Sequence, residues 1–306
     1  VTGPTHNLAV DEAESFSLTI DRNVIAKNEK GSIAGATYSS VLSGVSETQI
    51  ASATTQTVDL DGTDVTFTLA QTSTSGTWNL STNAVSDQAG QVVHIDNTSI
   101  NDVTITNNGT MWSTENNAIE MDGTEITGTA NITNTSTGTI ESDSTDKDEA
   151  AIKIPDTKGT ININNSGIIT SKAQGILNSG STLADLTNSG TLETTGEWST
   201  SLDIGSLYND EASTITKLTN SVTGTMQGIK SKRSGIVNKG TISSLTNSGI
   251  LKGTGTTNSY GLFNTGTITS LTNDIAGTIS SANSKGLSND GTGIINHLYN
   301  VGTISS

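Results

Sequence analysis

One seven-residue unit recurs through this sequence: apolar, any, Asn, any, Gly, Thr, apolar. Its first clear copy reads Ile105-Thr-Asn107-Asn-Gly109-Thr-Met111 and its last Leu298-Tyr-Asn300-Val-Gly302-Thr-Ile304. Between them stand Leu186-Thr-Asn188-Ser-Gly190-Thr-Leu192, Leu262-Phe-Asn264-Thr-Gly266-Thr-Ile268 and others. Looser copies, with two extra residues, run from Leu218 to Met226 and from Leu271 to Ile279. The asparagines come in pairs, Asn178 and Asn188, Asn209 and Asn220, Asn238 and Asn247, Asn264 and Asn273, Asn289 and Asn300. Gaps within pairs are 10, 11, 9, 9 and 11 residues, and the first members recur after 31, 29, 26 and 25. A steady period of this size marks a stacked repeat.

Apolar and polar residues alternate within a unit, as on a strand buried on one face. The Asn falls on the inward side, where an unbonded amide is costly. Stacking like on like removes that cost, because each amide bonds to the one above and below. Asn and Gly also accept the backbone of a tight corner. Each unit therefore reads as strand, corner, strand. Hairpin turns would use similar residues, but they require no pairing at a steady repeat. Two Asn corners and a looser third close one turn of a three-faced coil. The fold class is all-β, a parallel β-helix in which each rung touches only its neighbours. The ten paired asparagines are its predicted ladders.

A coil of this kind needs little apolar material. The chain has little, with 31% apolar and 3% aromatic residues, against about 45–50% apolar in an ordinary domain. Only 14% of residues are charged, which is low for a disordered chain. A net charge of −16, with Arg22 and Arg233 the only arginines, argues against nucleic acid as a partner. No run of about 18 apolar residues is present to span a membrane. Val1 to Asp11 lacks the charged head and apolar stretch of a signal peptide. Without cysteine there is no disulfide, thiolate metal site or Cys nucleophile.

Residues 1–55 lack the repeat and read as an N-terminal cap or non-repeat β region, with Phe16-Ser-Leu18-Thr-Ile20 as a strand. Residues 56–306 read as the coil. Val58-Asp-Leu60 and Val65-Thr-Phe67-Thr-Leu69 alternate as strands, and Met121 and Ile154 stand where later rungs carry Asn. The chain stops one Asn unit into a rung, so the coil reads as truncated at its C-terminal end and cut from a longer protein.

These serial units, across roughly Val92 to Ser306, resemble the secreted passenger of a bacterial monomeric autotransporter of the AIDA-like type. The acidic, Cys-free, Ser/Thr/Asn-rich composition is similar too. The resemblance implies a right-handed coil, export through an outer-membrane barrel absent from this chain, and display on the cell surface or secretion. It further implies an adhesin for host matrix protein or glycosaminoglycan, or a homotypic factor in aggregation and biofilm formation.

The residues themselves offer two surfaces. Lys172, Lys230, Lys232, Arg233 and Lys285 precede the Gly-apolar start of a rung, and stacking brings them to the third-corner edge, where a basic patch suits a polyanion. The outward column Glu120, Lys153, Leu177, Tyr208, Val237, Phe263, Ser288 is apolar for four rungs. Its Tyr208 and Phe263 suit sugars or a protein partner if exposed, unless corner loops cover them. The matching column of the second unit is mostly Thr, as an exposed strand prefers. A polysaccharide-cleaving enzyme is the remaining reading. It would need clustered carboxylates with a basic partner, and Asp203, Asp210 and Glu211 lie close in sequence with no arginine beside them. His6, His94 and His297 accompany no Gly-x-Ser-x-Gly elbow. The acidic run from Glu141 to Glu149 lacks the spacing of a calcium loop. We therefore expect no catalytic residue, metal or cofactor.

Overall fold

The computed structural model is all-β, three parallel sheets stacked as a solenoid of about seven turns. It describes residues 102–197 and 204–306 in full and, before residue 102, the backbone of eight strands. The chain visits the three faces in turn. Sheet A carries eight rung strands, from Asp102–Asn107 to Ile294–Asn300, sheet B eight from Thr110–Ser113 to Thr303–Ser305, and sheet C eight from Val93–Asp96 to Leu287–Asn289. At about 4.8 Å between strands, eight rungs span about 34 Å.

Each face sends one aliphatic column inward. Ile105, Ile132, Ile163, Leu186, Leu218, Leu245 and Leu271 stack on sheet A, in register from rung to rung. Sheet B contributes Met111, Ile140, Ile169, Leu192, Met226, Leu251 and Ile279, and sheet C runs from Ile119 to Leu262. All of these but Ile132 and Ile163 are 0% exposed, and those two are 1% and 2%. The core is thus three side chains wide and many rungs long, which is why so few apolar residues suffice. On sheet A the inward spacing changes partway along the stack. From Thr182–Asn188 to Thr267–Asn273 the strands bury their second and fifth residues, with the register shifting between Ile161 and Asn162. Ala184 is the extra residue, as in a β-bulge.

The asparagines form two ladders. At the sheet A corner Asn107, Asn134, Asn165, Asn188, Asn220, Asn247, Asn273 and Asn300 are joined by Nδ2–H···Oδ1 bonds of 2.7–2.9 Å. At the sheet C corner Asn178, Asn209, Asn238, Asn264 and Asn289 are joined at 2.6–2.8 Å. All ten predicted members are present, and Asn107, Asn134 and Asn165 extend the first ladder below them. Every link runs the same way, each amide donating toward the C-terminal end. The second ladder starts at Asn178 because Ile154 lies beneath it. The buried Asn178 Oδ1 is consequently left without a donor. Glycine closes the corner for steric reasons. A Cβ on Gly190 would lie 2.1 Å from the Gly167 carbonyl oxygen of the rung below.

The N-terminal strand Ser15–Ile20 joins sheet A, parallel to Asp102–Asn107 with Leu18 opposite Ile105. On its other edge it pairs parallel with Thr77–Thr82. Pairing then turns antiparallel, Thr77–Thr82 with Thr63–Gln71 and that with Thr54–Leu60. The strands Thr54–Leu60, Thr63–Gln71 and Thr77–Thr82, which the sequence reading places in the coil from residue 56 onward, therefore pair as an antiparallel ribbon beside Ser15–Ile20. Asp61-Gly62 between the first two strands is a pair that favours a two-residue hairpin. Alternation looks the same in either pairing, so it cannot separate them.

Candidate binding surface

The third corner, between sheets B and C, gathers the predicted basic residues, and most of them are engaged. Lys172 Nζ lies 2.9 Å from Asp143 Oδ1, and Lys230 Nζ 3.0 Å from Glu197 Oε1. Asp143 also accepts from Trp112 Nε1 at 3.2 Å. Lys232 sits in a left-handed turn at φ 61°, its amide bonded to the Thr257 carbonyl. Lys285 is exposed. Arg233 is fully buried, and burial lowers its guanidinium to about 10. Its Nε–H donates to the Gly196 carbonyl at 3.1 Å, while Nη1 and Nη2 have no partner among the described residues. The basic residues share one corner, with Lys172 and Lys230 in part-exposed ion pairs and Arg233 inside. The sequence places these residues at one corner and is silent on the acids of neighbouring rungs.

The outward column of sheet C lies mostly under cover. Leu177 is 6%, Val237 0%, Phe263 7% and Ser288 3% exposed. Tyr260 of the corner loop stacks on Phe263, centroids 5.1 Å apart, and Lys239 Nζ lies 5.6 Å from the Tyr208 ring centre. Only Tyr208 of the apolar four keeps intermediate exposure. At the column's lower end Lys153 bridges Glu120 at 3.3 Å and Glu149 at 3.7 Å. Burial raises the Glu149 carboxyl above its ordinary value, against the pull of Lys153. Glu141 on sheet B is raised likewise, by burial first and then by Asp143.

A third surface was not anticipated. The large apolar side chains that stand exposed among the described residues fall in two places. Ile168, Val222, Ile250, Ile275 and Val301 line the corner between sheets A and B, and Ile294, Leu298 and Tyr299 lie on the last rung. Val222 is 69% and Ile275 83% exposed. They occupy the five-residue corners Asn220–Gly224 and Asn273–Gly277, with the shorter Asn247–Gly249 between them. The signal was in the sequence. The two extra residues of the looser repeat copies carry Val222 and Ile275, and an apolar residue at the tip of an inserted corner has nowhere to point but outward.

Among the described residues no group of three or more His, Asp and Glu side chains is placed to hold a metal ion. Asp210 is held by Ser179 Oγ at 3.3 Å and caps the Glu211 amide. His297 is exposed on the last rung. Asp203, His6 and the His94 side chain lie outside the described residues. No helix there is long and apolar enough to cross a membrane. What the geometry offers is extended contact along side-chain rows. The chain matches no family model, and comparison with curated proteins and with solved structures finds no match.

Proposed function

We propose that this chain is the displayed passenger of a bacterial surface adhesin, a stiff rod that binds host matrix protein along its corners. The observation that supports this most is the A/B ridge. Five of the exposed aliphatic side chains among the described residues lie on one edge of this acidic, polar solenoid, with Val222 and Ile275 projecting two rungs apart. Exposed apolar rows of that kind mark contact surfaces. Binding would then use a row of side chains in register, as a rod presents them, and no pocket. Engagement of Lys172 and Lys230 by Asp143 and Glu197 favours a protein over a glycosaminoglycan, since those amines already have their counter-charges.

The test is a binding screen of the 306-residue chain on immobilised matrix proteins and sulfated glycans, with sedimentation of the same sample. A protein ligand whose binding is lost in Val222→Ser/Ile275→Ser would support the reading. Retention of all binding in that variant, with loss in Lys232→Glu, would move the contact to the basic edge. A second reading is homotypic association. Projecting Val222 and Ile275 flank the lower Ser248 corner, so one copy's Ile275 fits the gap of an antiparallel second copy. A reversible dimer abolished by the same substitutions, with no matrix ligand, would select that reading.

A further inference from the structure

Arg233 is the largest fully buried side chain described, and it is a cation. It belongs to the third corner but not to its surface. Its backbone amide bonds to the Lys230 carbonyl at 3.2 Å, the next amide, Ser234, to Ile204 at 3.1 Å, and the preceding one, Lys232, to Thr257 at 2.8 Å. With Nε on Gly196, the residue is tied to the corner connections of the rung below and the rung above. Its own rung carries Gly228 at the last inward position of sheet B, and the next rung Gly253, where the rungs below place Ser142, Ser171 and Thr194. A Cβ at Gly228 would lie 2.3 Å from the Arg233 carbonyl carbon. The local backbone therefore excludes the hydroxyl that the three rungs below carry at this position.

The nearby described acids are committed. Glu197 is paired with Lys230 and its side chain is 80% exposed, and Glu193 accepts from Gln227 and Thr170. Among the described residues, Nη1 and Nη2 thus remain buried donors with no acceptor. An uncompensated guanidinium in a dry interior is strongly disfavoured. Its two outer nitrogens form a planar fork suited to one anion.

We propose that Arg233 is the protein half of a buried site for one small anion, chloride or a formate-sized carboxylate, held where the third-corner connections of successive rungs meet. This goes beyond the adhesive reading, because the ligand is enclosed and acts on the corner loops from within. The full chain is transferred to sodium gluconate, a bulky anion, and chloride replaces it at constant ionic strength. The site predicts a saturable rise in Tm of about 3 °C and broadening of the chloride NMR line. Arg233→Met should remove both. If that variant does not fold, Arg233→Lys keeps the charge without the fork and should weaken both, and the unsubstituted protein's own titration decides the matter. A Tm and line width indifferent to chloride and to formate overturn the proposal. So does anion indifference joined to equal destabilisation by Asp203→Asn and Arg233→Met, which would assign the counter-charge to the chain itself.

Discussion

Cutting a ladder in its middle should cost far more than shortening it from its end. Asn220 is fully buried, donating to Asn247 at 2.8 Å and to the Gly224 and Ile250 carbonyls at 3.2 Å, and accepting from Asn188 at 2.9 Å. Asn220→Leu removes two N–H donors shared among three acceptors and one accepted bond, about 3 kcal/mol together, and strands the Asn247 oxygen at about 1–3 kcal/mol more. The new aliphatic surface returns about 1–2 kcal/mol. The expected loss is about 3–4 kcal/mol. Asn178→Ile removes three donations, to Asn209, Ser181 and Thr214. It also deletes an oxygen that already lacks a partner, so the count of stranded acceptors is unchanged, and the new side chain extends the column of Ile154. Its expected loss is about 1 kcal/mol at most. Urea unfolding followed by circular dichroism, with hydrogen exchange at the flanking rungs, measures the difference. Rung-by-rung exchange matters because a solenoid is held by neighbour contacts and can open locally. Equal losses for the two substitutions would refute the view that the ladder acts as a continuous hydrogen-bonded column.

Three further outcomes are expected. Glu141 and Glu149 bind protons more tightly folded than unfolded, because burial raises both above the ordinary 4.5. The folded state therefore gains stability as pH falls from neutral through the raised values toward 4.5, so the urea midpoint should be higher at pH 5 than at pH 7, and Glu149→Gln should reduce the difference. Gly240→Ala drives a Cβ to 2.2 Å from the Asp210 and 2.3 Å from the Ser213 carbonyl oxygens and should cost about 3 kcal/mol. Gly291→Ala, at φ +60° with nothing within 4 Å, should cost only about 1 kcal/mol in the same melts. Val222→Ser and Ile275→Ser, at exposed positions, should leave the unfolding midpoint within about 0.5 kcal/mol of the parent while changing binding or sedimentation.

The ladders and the three faces were legible because they rest on spacing. A residue at a steady position in a stacked repeat meets its own kind in the next rung, and an inward Asn is tolerable only if that neighbour is also Asn. Met121 and Ile154 mark the rungs where the rule lapses, and there too the sequence located the break. Spacing also brought Lys172, Lys230 and Arg233 to one corner.

Their fate was decided by contacts between rungs about 30 residues apart, which no repeat encodes. Lys230 meets Glu197 and Lys172 meets Asp143 across rungs. Phe263 is covered because Tyr260 folds onto it, and Arg233 lies inside with its Nε on the Gly196 carbonyl of the rung below. The antiparallel pairing of residues 54–82 was hidden for a related reason, since alternation specifies which face is buried and not the direction of the neighbouring strand. The sequence by itself determined the coil, whose inward positions are set by chemistry repeated at a steady period. The tertiary structure alone decided what the surface offers, because exposure and ion pairing at the irregular corners depend on which connections happen to lie one rung above and one rung below.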